Sequence, residues 1–257
     1  MTMNLFACCA FLALVLCLTS GLEIGKHSEG QKRIHGNLGI INGKKASIKK
    51  FPYMVALIID GSLQGSGVIL NSHWILTTAF NVAWVPSDEL EFRAGSTTYE
   101  QGGQTLTAEK VVVHENYTGS WDYDIAVVKL NKPIKLGKKA KPIKLGKKDL
   151  KGKTKVVASG WGPSSEYGNP SPNLLSGELT VLDWDTCDET YPYDLTSRLM
   201  CTSDTNVAPC GVDFGDPIVY KKAVYGLYAG GYGCLTEPAL FTDVANLSKW
   251  VKSAIKQ

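Results

Sequence analysis

The sequence has little histidine and little cysteine, with 4 His and 7 Cys in 257 residues. It contains no C-x-x-C pair, and no histidine lies near the cysteines in the second half of the chain. Zinc sites are built from clustered Cys and His ligands, so this scarcity argues against one. No other metal-ligand cluster and no paired carboxylates stand out, so no cofactor is predicted.

Long apolar runs are absent after the first 20 residues. A membrane-spanning helix needs about 18 or more such residues, so no membrane span is predicted. The run from Leu5 to Leu18 is apolar, too short to span a bilayer, and followed by small residues. This pattern is typical of a signal peptide, although the basic residue that usually precedes the apolar run is missing. We expect a signal peptide at residues 1–20, a propeptide-like segment at 21–39, and a secreted mature domain at 40–257.

The cysteines of the mature segment form an even set. Three of the 7 cysteines lie in the signal segment, and the other four are Cys187, Cys201, Cys210 and Cys234. Secretion exposes these four to an oxidising compartment, so two disulfides are expected. Spacing alone leaves three pairings open.

Two N-x-S/T sequons begin at Asn116 and Asn246. In a secreted chain each is a candidate glycosylation site, although unmodified copies of the motif are common.

Short β-rich runs separated by Gly, Pro, Asn and Ser fill most of the mature segment. This pattern favours an all-β fold of antiparallel barrels or a sandwich over alternating βαβ units. The end of the chain changes period, because its apolar residues recur at helical spacing from Leu247 to Ile255. We expect an amphipathic C-terminal helix that docks on the barrels.

Lysine is concentrated in one stretch. The eight residues KPIKLGKK occur at 132–139 and again at 141–148, and 12 lysines but only one acid, Asp149, lie between Lys129 and Lys155. The electrostatic field of such a lysine cluster attracts acidic proteins or anionic glycans, although lysine-rich loops are often simply solvated. The candidate anionic-partner patch is Lys138, Lys139, Lys141, Lys144, Lys147 and Lys148. No aromatic residues alternate with these lysines, which argues against specific nucleic-acid binding.

Several motifs, taken in order, resemble the chymotrypsin/trypsin family. They are Ile40-Ile41-Asn42-Gly43, Trp74-Ile-Leu-Thr-Thr-Ala79, Asp124-Ile-Ala-Val-Val-Lys-Leu130, Ser159-Gly-Trp-Gly162 and the cysteine spacings. The resemblance covers residues 40–257 and implies two antiparallel six-stranded β-barrels with a C-terminal α-helix and a cleft between the barrels. It also implies the pairings Cys187–Cys201 and Cys210–Cys234.

Two positions of the implied catalytic triad are changed. Where the family has its histidine base this chain has Phe80, and where it has its serine nucleophile this chain has Phe214, while Asp124 is kept. Phenylalanine has neither a lone pair nor a transferable proton, so it can perform neither role. His73 and His114 lie elsewhere in the motif order. The sequence therefore predicts that the chain is not an enzyme of this mechanism.

Further cleft positions also depart from the family pattern. The resemblance places the pocket floor, oxyanion-hole glycine, cleft lining and pocket wall at Ala208, Val212, Ala229, Gly230 and Ala239. We expect Phe80 and Phe214 to touch, with ring centroids within about 7 Å, and to plug an apolar cleft floor. Asp124, without its imidazole, should bond to backbone N–H groups or water, or titrate high.

A zymogen-type pair is implied at Ile40 and Asp213. In the family, cleavage before the isoleucine frees an amine that pairs with this aspartate. Here the preceding residue is Gly39, which a trypsin-like activator would not recognise. The family's third common disulfide is missing on both sides, at Gly65 and Asn81, so compensation elsewhere is expected.

The whole pattern most resembles the inactivated protease paralogues of astigmatid mites, which are related to the group 3 mite allergens. That resemblance implies secretion into the gut lumen and interference with host serum or complement proteins. The alternatives are a decoy for protease inhibitors, a binder of anionic glycans and, ranked last, a residual serine endopeptidase. The degraded cleft argues against the decoy.

Overall fold

The computed structural model describes residues 40–163, 165, 168–191, 194–203 and 206–257. The predicted signal peptide and propeptide-like segment lie outside these residues.

The first half of the chain forms a closed barrel. The strands of this half, in chain order, are β1 (Lys44–Lys45), which pairs outside this barrel, and then β2 (Met54–Ile59), β3 (Ser62–Ile69), β4 (Trp74–Thr77), β5 (Glu91–Ala94), β6 (Gln104–Val113) and β7 (Ala126–Leu130). Strands β2 to β7 close in the order β2-β3-β4-β7-β6-β5, and every pairing is antiparallel. Alternate residues such as Leu57, Phe92 and Val128 point inward and are fully buried.

The second half forms a second closed barrel. Its strands are β8 (Lys144–Leu145), β9 (Lys155–Gly160), β10 (Leu175–Val181), β11 (Leu199–Ser203), β12 (Pro217–Tyr220), β13 (Ala223–Gly230) and β14 (Ala239–Asp243). The order β9-β10-β11-β14-β13-β12 closes through a β12–β9 pairing, while β1 and β8 add to its outside. The predicted architecture of two six-stranded antiparallel barrels is confirmed.

Two α-helices belong to the second half, α1 (Trp184–Thr190) and α2 (Val244–Ala254). The carboxylate of Asp243 caps α2 by accepting from the N–H groups of Ala245 and Asn246, at 2.8 and 3.0 Å. Leu247 and Val251 are buried against residues of both barrels. The predicted docking helix is confirmed. Neither described helix has the length and apolar character needed to cross a membrane.

Two disulfides join Cys187 to Cys201 and Cys210 to Cys234, with Cα atoms 5.8 and 5.3 Å apart. These are the pairings implied by the family resemblance. Both lie in the second half of the chain, so neither ties the first barrel to the second.

Asn81 occupies the space beside Gly65, where the family resemblance implies a lost disulfide. A Cβ on Gly65 would lie 2.6 Å from Asn81 Nδ2, so only glycine leaves room for the amide. Asn81 Nδ2 donates to the carbonyl of Phe214 at 2.9 Å and to Thr77 Oγ1 at 3.1 Å. At the positions where the family has a disulfide, buried hydrogen bonds of Asn81 thus link the first barrel to the segment that precedes β12.

We predict that Asn81→Ala destabilises the protein by about 1–3 kcal/mol, since it removes the buried donor. Urea unfolding measures the loss, and the control is Asn131→Ala, which truncates an exposed asparagine of the first half. Equal stability of the two variants would show that the hydrogen bonds of Asn81 do not stabilise the fold. Asn81→Asp should cost more than Asn81→Ala, because a carboxylate would face the Phe214 carbonyl.

Candidate functional site

Phe80 and Phe214 meet between the two barrels. Phe80 follows β4, and Phe214 follows a 3-10 turn at Gly211–Asp213. Their ring centroids are 4.6 Å apart, and the planes are inclined by 43°. This lies within the range of favourable aromatic pairs. The predicted contact between the two residues is therefore confirmed.

The Phe214 ring continues into an aromatic column. Tyr228 stacks on Phe214 with centroids 5.6 Å apart and planes at 27°, and Phe241 lies 5.6 Å beyond Tyr228. Tyr228 is buried in the core of the second barrel. Sequence reasoning missed Tyr228, although a large aromatic directly before the small residues Ala229 and Gly230 was an available signal.

The phenylalanine pair forms the predicted apolar floor, while the cleft above it stays open. Phe80 is 51% exposed. Both rings line a cavity of about 560 Å³, and both also line a neighbouring cavity of about 390 Å³. The first cavity carries the carboxylates of Asp122, Asp124 and Asp194 together with the indole of Trp121. The two rings form the apolar floor of the cleft, and the polar residues Asp122, Asp124 and Asp194 line the cavity above it.

Asp124 is buried without an imidazole partner. The Phe80 backbone N–H donates to Asp124 Oδ1 at 2.7 Å. Burial raises the pKa of Asp124 to about 7, although the backbone N–H groups of Phe80 and Ala79 oppose the shift. Both predicted outcomes, backbone donors and a raised pKa, are found.

A second carboxyl, Asp216, lies beside Asp213. Both side chains are fully buried, and Asp213 accepts from the backbone N–H groups of Gly162 and Cys210 at 2.7 and 2.8 Å. Neither oxygen of Asp216 has a hydrogen-bond partner in the part of the chain that the structure describes. Burial, reinforced by the charge of Asp213, raises the pKa of Asp216 well above its usual range, and burial raises that of Asp213 to about 6. The pair therefore favours holding a proton.

Sequence reasoning overlooked Asp216. The signal was an acidic residue three positions after Asp213, where the family motif has glycine. Gly160 makes room for this side chain, because a Cβ at residue 160 would overlap the Asp216 carboxyl.

Ile40 is fully buried in the core of the second barrel. The next residue, Ile41, donates its N–H to the carbonyl of Ala208 at 2.8 Å. The nitrogen of Ile40 belongs to a peptide bond with Gly39 in the full chain. The pairing of Ile40 with Asp213 stays a prediction about processed protein.

The other predicted cleft positions are small and enclosed. Ala208, Ala229 and Ala239 are buried, and Val212 adopts an unstrained backbone with φ −76° and ψ 20°. Gly230 has φ 137°, and a Cβ there would lie 2.9 Å from Trp121 Nε1. The close approach of the indole therefore requires glycine at residue 230.

All six lysines of the candidate anionic-partner patch are exposed. None of them lines either cleft cavity. Lys141 is held by its backbone N–H, which donates to the Pro52 carbonyl at 2.8 Å, and Lys144 begins the strand that pairs with β13. The patch thus lies on the connection between the barrels, and its partner stays a prediction.

The two sequons differ in their surroundings. Asn116 is exposed in the turn after β6, next to Tyr117, which lines the larger cleft cavity. Asn246 is exposed in the first turn of α2, but its Nδ2 donates to the Ser197 carbonyl at 2.6 Å. The geometry thus leaves the Asn116 amide more accessible than that of Asn246.

The described residues hold no group of three or more metal-ligating His, Cys, Asp or Glu side chains. Ser72 Oγ lies 3.0 Å from His73 Nδ1, but these adjacent residues sit on the turn between β3 and β4 and line neither cleft cavity. His114 is buried between the rings of Tyr123 and Trp250.

Comparisons with known proteins agree on one family. The family model described as Trypsin matches residues 40–251. Pig trypsin is 28% identical over 225 residues (84% of this chain and 95% of the relative), and trypsin delta of Drosophila melanogaster is 31% identical over 222 residues (83% and 87%). Trypsin Blo t 3 of Blomia tropicalis is 29% identical over 226 residues (83% and 85%).

A solved structure supports the fold. Neuropsin, a serine protease expressed in the limbic system of mouse brain, superposes with a TM-score of 0.79. The match covers 84% of this chain and 100% of neuropsin at 23% sequence identity.

We predict that the Asp124 carboxyl titrates at a pKa of about 7. Carbon-detected NMR titration measures this value, and Asp124→Asn identifies the resonance by removing it. Titration near the ordinary aspartate value of about 4 would show that Asp124 is better solvated than the buried geometry implies.

We predict that Asp216→Asn stabilises the protein at pH 8 but not at pH 4. A buried acid whose folded pKa is raised holds its proton longer in the folded state. Stability is therefore highest below about pH 4 and falls as pH rises through the folded pKa. Thermal unfolding at both pH values measures the difference, with exposed Asp60→Asn as the matched control. An equal change in Tm at pH 4 and pH 8 would contradict this account.

Proposed function

Because this chain belongs to the trypsin family of serine proteases, we propose that it is a catalytically inactive member that acts as a secreted binding protein. The observation that carries the proposal is the contact of Phe80 with Phe214, with centroids 4.6 Å apart. The family mechanism needs a hydroxyl and an imidazole in contact at these positions.

The surroundings of the pair support the same conclusion. Peptide hydrolysis needs a proton to move from nucleophile to base, and a benzyl group can neither accept nor release one. Asp124, which would orient the base, instead accepts the backbone N–H of Phe80. Loss of nucleophile or base alone costs about 10⁶ in kcat in a well-studied serine protease of another fold.

The rim of the cleft supports a binding role. Phe80 and Tyr232, which both line the smaller cleft cavity, are exposed by 51% and 61%. Exposed aromatic residues are enriched where proteins bind other proteins. The degenerate cleft thus offers an aromatic surface with carboxylates beside it.

Host serum or complement proteins are the proposed partners, and the gut lumen is the proposed place of action. This part of the proposal rests on the resemblance to inactivated mite paralogues, and a mite trypsin is among the relatives. The two disulfides support an extracellular location.

A second candidate function, binding of anionic glycans, is favoured by the candidate anionic-partner patch. Its six lysines are exposed, and none takes part in an ion pair with a described residue. The decoy function has less support, because inhibitor loops need an open primary pocket and Ala208 and Ala239 are buried.

We predict that the purified protein neither hydrolyses peptide substrates nor reacts with a fluorophosphonate label. Phe80→His/Phe214→Ser should react slowly with the label, since Asp124 is already in place, whereas each single variant should stay unlabelled. Trypsin is the positive control. Labelling or turnover by the unmodified protein would overturn the proposal.

The binding half of the proposal has its own test. Surface plasmon resonance with purified complement components, paired with complement deposition assays, measures both contact and consequence. Absence of binding and of inhibition would remove the complement role while leaving the question of activity untouched.

A further inference from the structure

A concave surface of about 530 Å³ lies away from the cleft. Four chain segments build it: the turn at residues 49–53 before β2, residues 141–143 of the connection between the barrels, Val157 of β9, and the end of β12 with the hairpin turn that follows it. None of its lining residues lines either cleft cavity. We call it the basic groove.

The rim of the basic groove is positively charged. Five lysines line it, and no Asp or Glu does; the five are Lys49, Lys50, Lys141, Lys221 and Lys222. All five are exposed, and none forms an ion pair within the described ranges of the chain. Since no internal acid neutralises them, their field is available to an anionic partner.

The floor of the groove is apolar and already formed. Phe51 and Ile143 are buried, while Tyr53, Val157 and Val219 are half-buried. Backbone hydrogen bonds fix the floor: the N–H of Lys141 donates to the Pro52 carbonyl, and that of Ile143 donates to the Ile69 carbonyl at 2.9 Å. Val157 and Val219 are neighbours on the paired strands β9 and β12. The floor is therefore preformed, so a partner can bind to it without a rearrangement of the groove.

The hairpin turn holds two of these lysines in an unfavourable backbone conformation. Lys221 and Lys222 have φ 45° and 65°, the left-handed region that such turns normally fill with Asn and Gly. Neither lysine gains a compensating ion pair among the described residues. Strained residues of this kind are concentrated at binding sites. The turn thus keeps two charges on the rim where uncharged residues would fold more easily.

From the charge of the rim and the apolar floor, we propose that the basic groove binds an acidic peptide segment of a partner protein. Its carboxylates would face the lysine ammonium groups, and its intervening apolar side chains would cover Tyr53, Val157 and Val219. A sulfated glycan could match the charge but has no apolar side chains for the floor. The proposal goes beyond the inactive cleft, because the groove shares no residue with it.

Fluorescence anisotropy with the secreted protein tests the groove. One labelled probe alternates Glu with Phe and Leu, and the second has the same number of Glu residues alternating with Ser. We expect the first probe to bind at least about tenfold more tightly, because only it covers the floor.

The test variant is Lys221→Asn/Lys222→Gly, which removes two charges and also suits the turn. It should weaken the first probe about tenfold while Tm stays the same or rises. The matched control is Lys44→Gln/Lys45→Gln, which removes two adjacent exposed lysines outside both the groove and the candidate anionic-partner patch and should leave affinity within about twofold. Phe80→Ala should leave it unchanged, so failure here is distinguishable from failure of the proposed cleft function.

Three results would overturn the proposal. They are equal affinity for the two probes, equal losses in the two lysine variants, and heparin binding that depends on Lys221 and Lys222 while neither peptide binds. The last would assign the groove to sulfated glycans instead.

Discussion

The carbonyl of Phe214 is the point at which the two halves of the molecule are held together beside the cleft. It accepts from the backbone N–H of Ser66 in β3 and from Asn81 Nδ2, each at 2.9 Å. Ser66 in turn accepts Thr77 Oγ1 through its own carbonyl at 2.7 Å. These bonds fix the backbone of residue 214 against the first barrel, and the Phe214 ring lies between Phe80 and Tyr228. These hydrogen bonds to the Phe214 carbonyl therefore position the phenylalanine pair between the two barrels.

The segment around Phe214 also carries several of the departures from the family pattern. With the ring of Phe214 between Phe80 and Tyr228, an apolar layer reaches from the surface to Phe241 in the core. Behind the same segment the Asp213 and Asp216 carboxyls are enclosed together, and neither oxygen of Asp216 has a hydrogen-bond partner among the described residues. One short segment therefore combines well-packed aromatic rings with a buried acidic pair.

Much of the fold could be predicted from the sequence, because period-2 runs and turn residues are local signals. Among the β-rich runs that the sequence shows between turn residues are Trp74–Thr77, Lys155–Gly160 and Pro217–Tyr220, and the structure forms strands with these same bounds. Strand β5 was missed because EFRA is short and half charged, and β11 because LMCTS ends in polar residues. Motif order predicted the Phe80–Phe214 contact. It could not predict the basic groove, since its lysines come from three distant segments that meet only after both barrels close.

The contact of Phe80 with Phe214 couples the two positions energetically. A histidine placed alone at position 80 would face a benzyl ring, and a serine placed alone at position 214 would leave a gap between Phe80 and Tyr228. Each single replacement disturbs a well-packed contact, and its cost depends on the residue at the other position. The two residues therefore behave as one energetic unit, which a change at either position alone breaks.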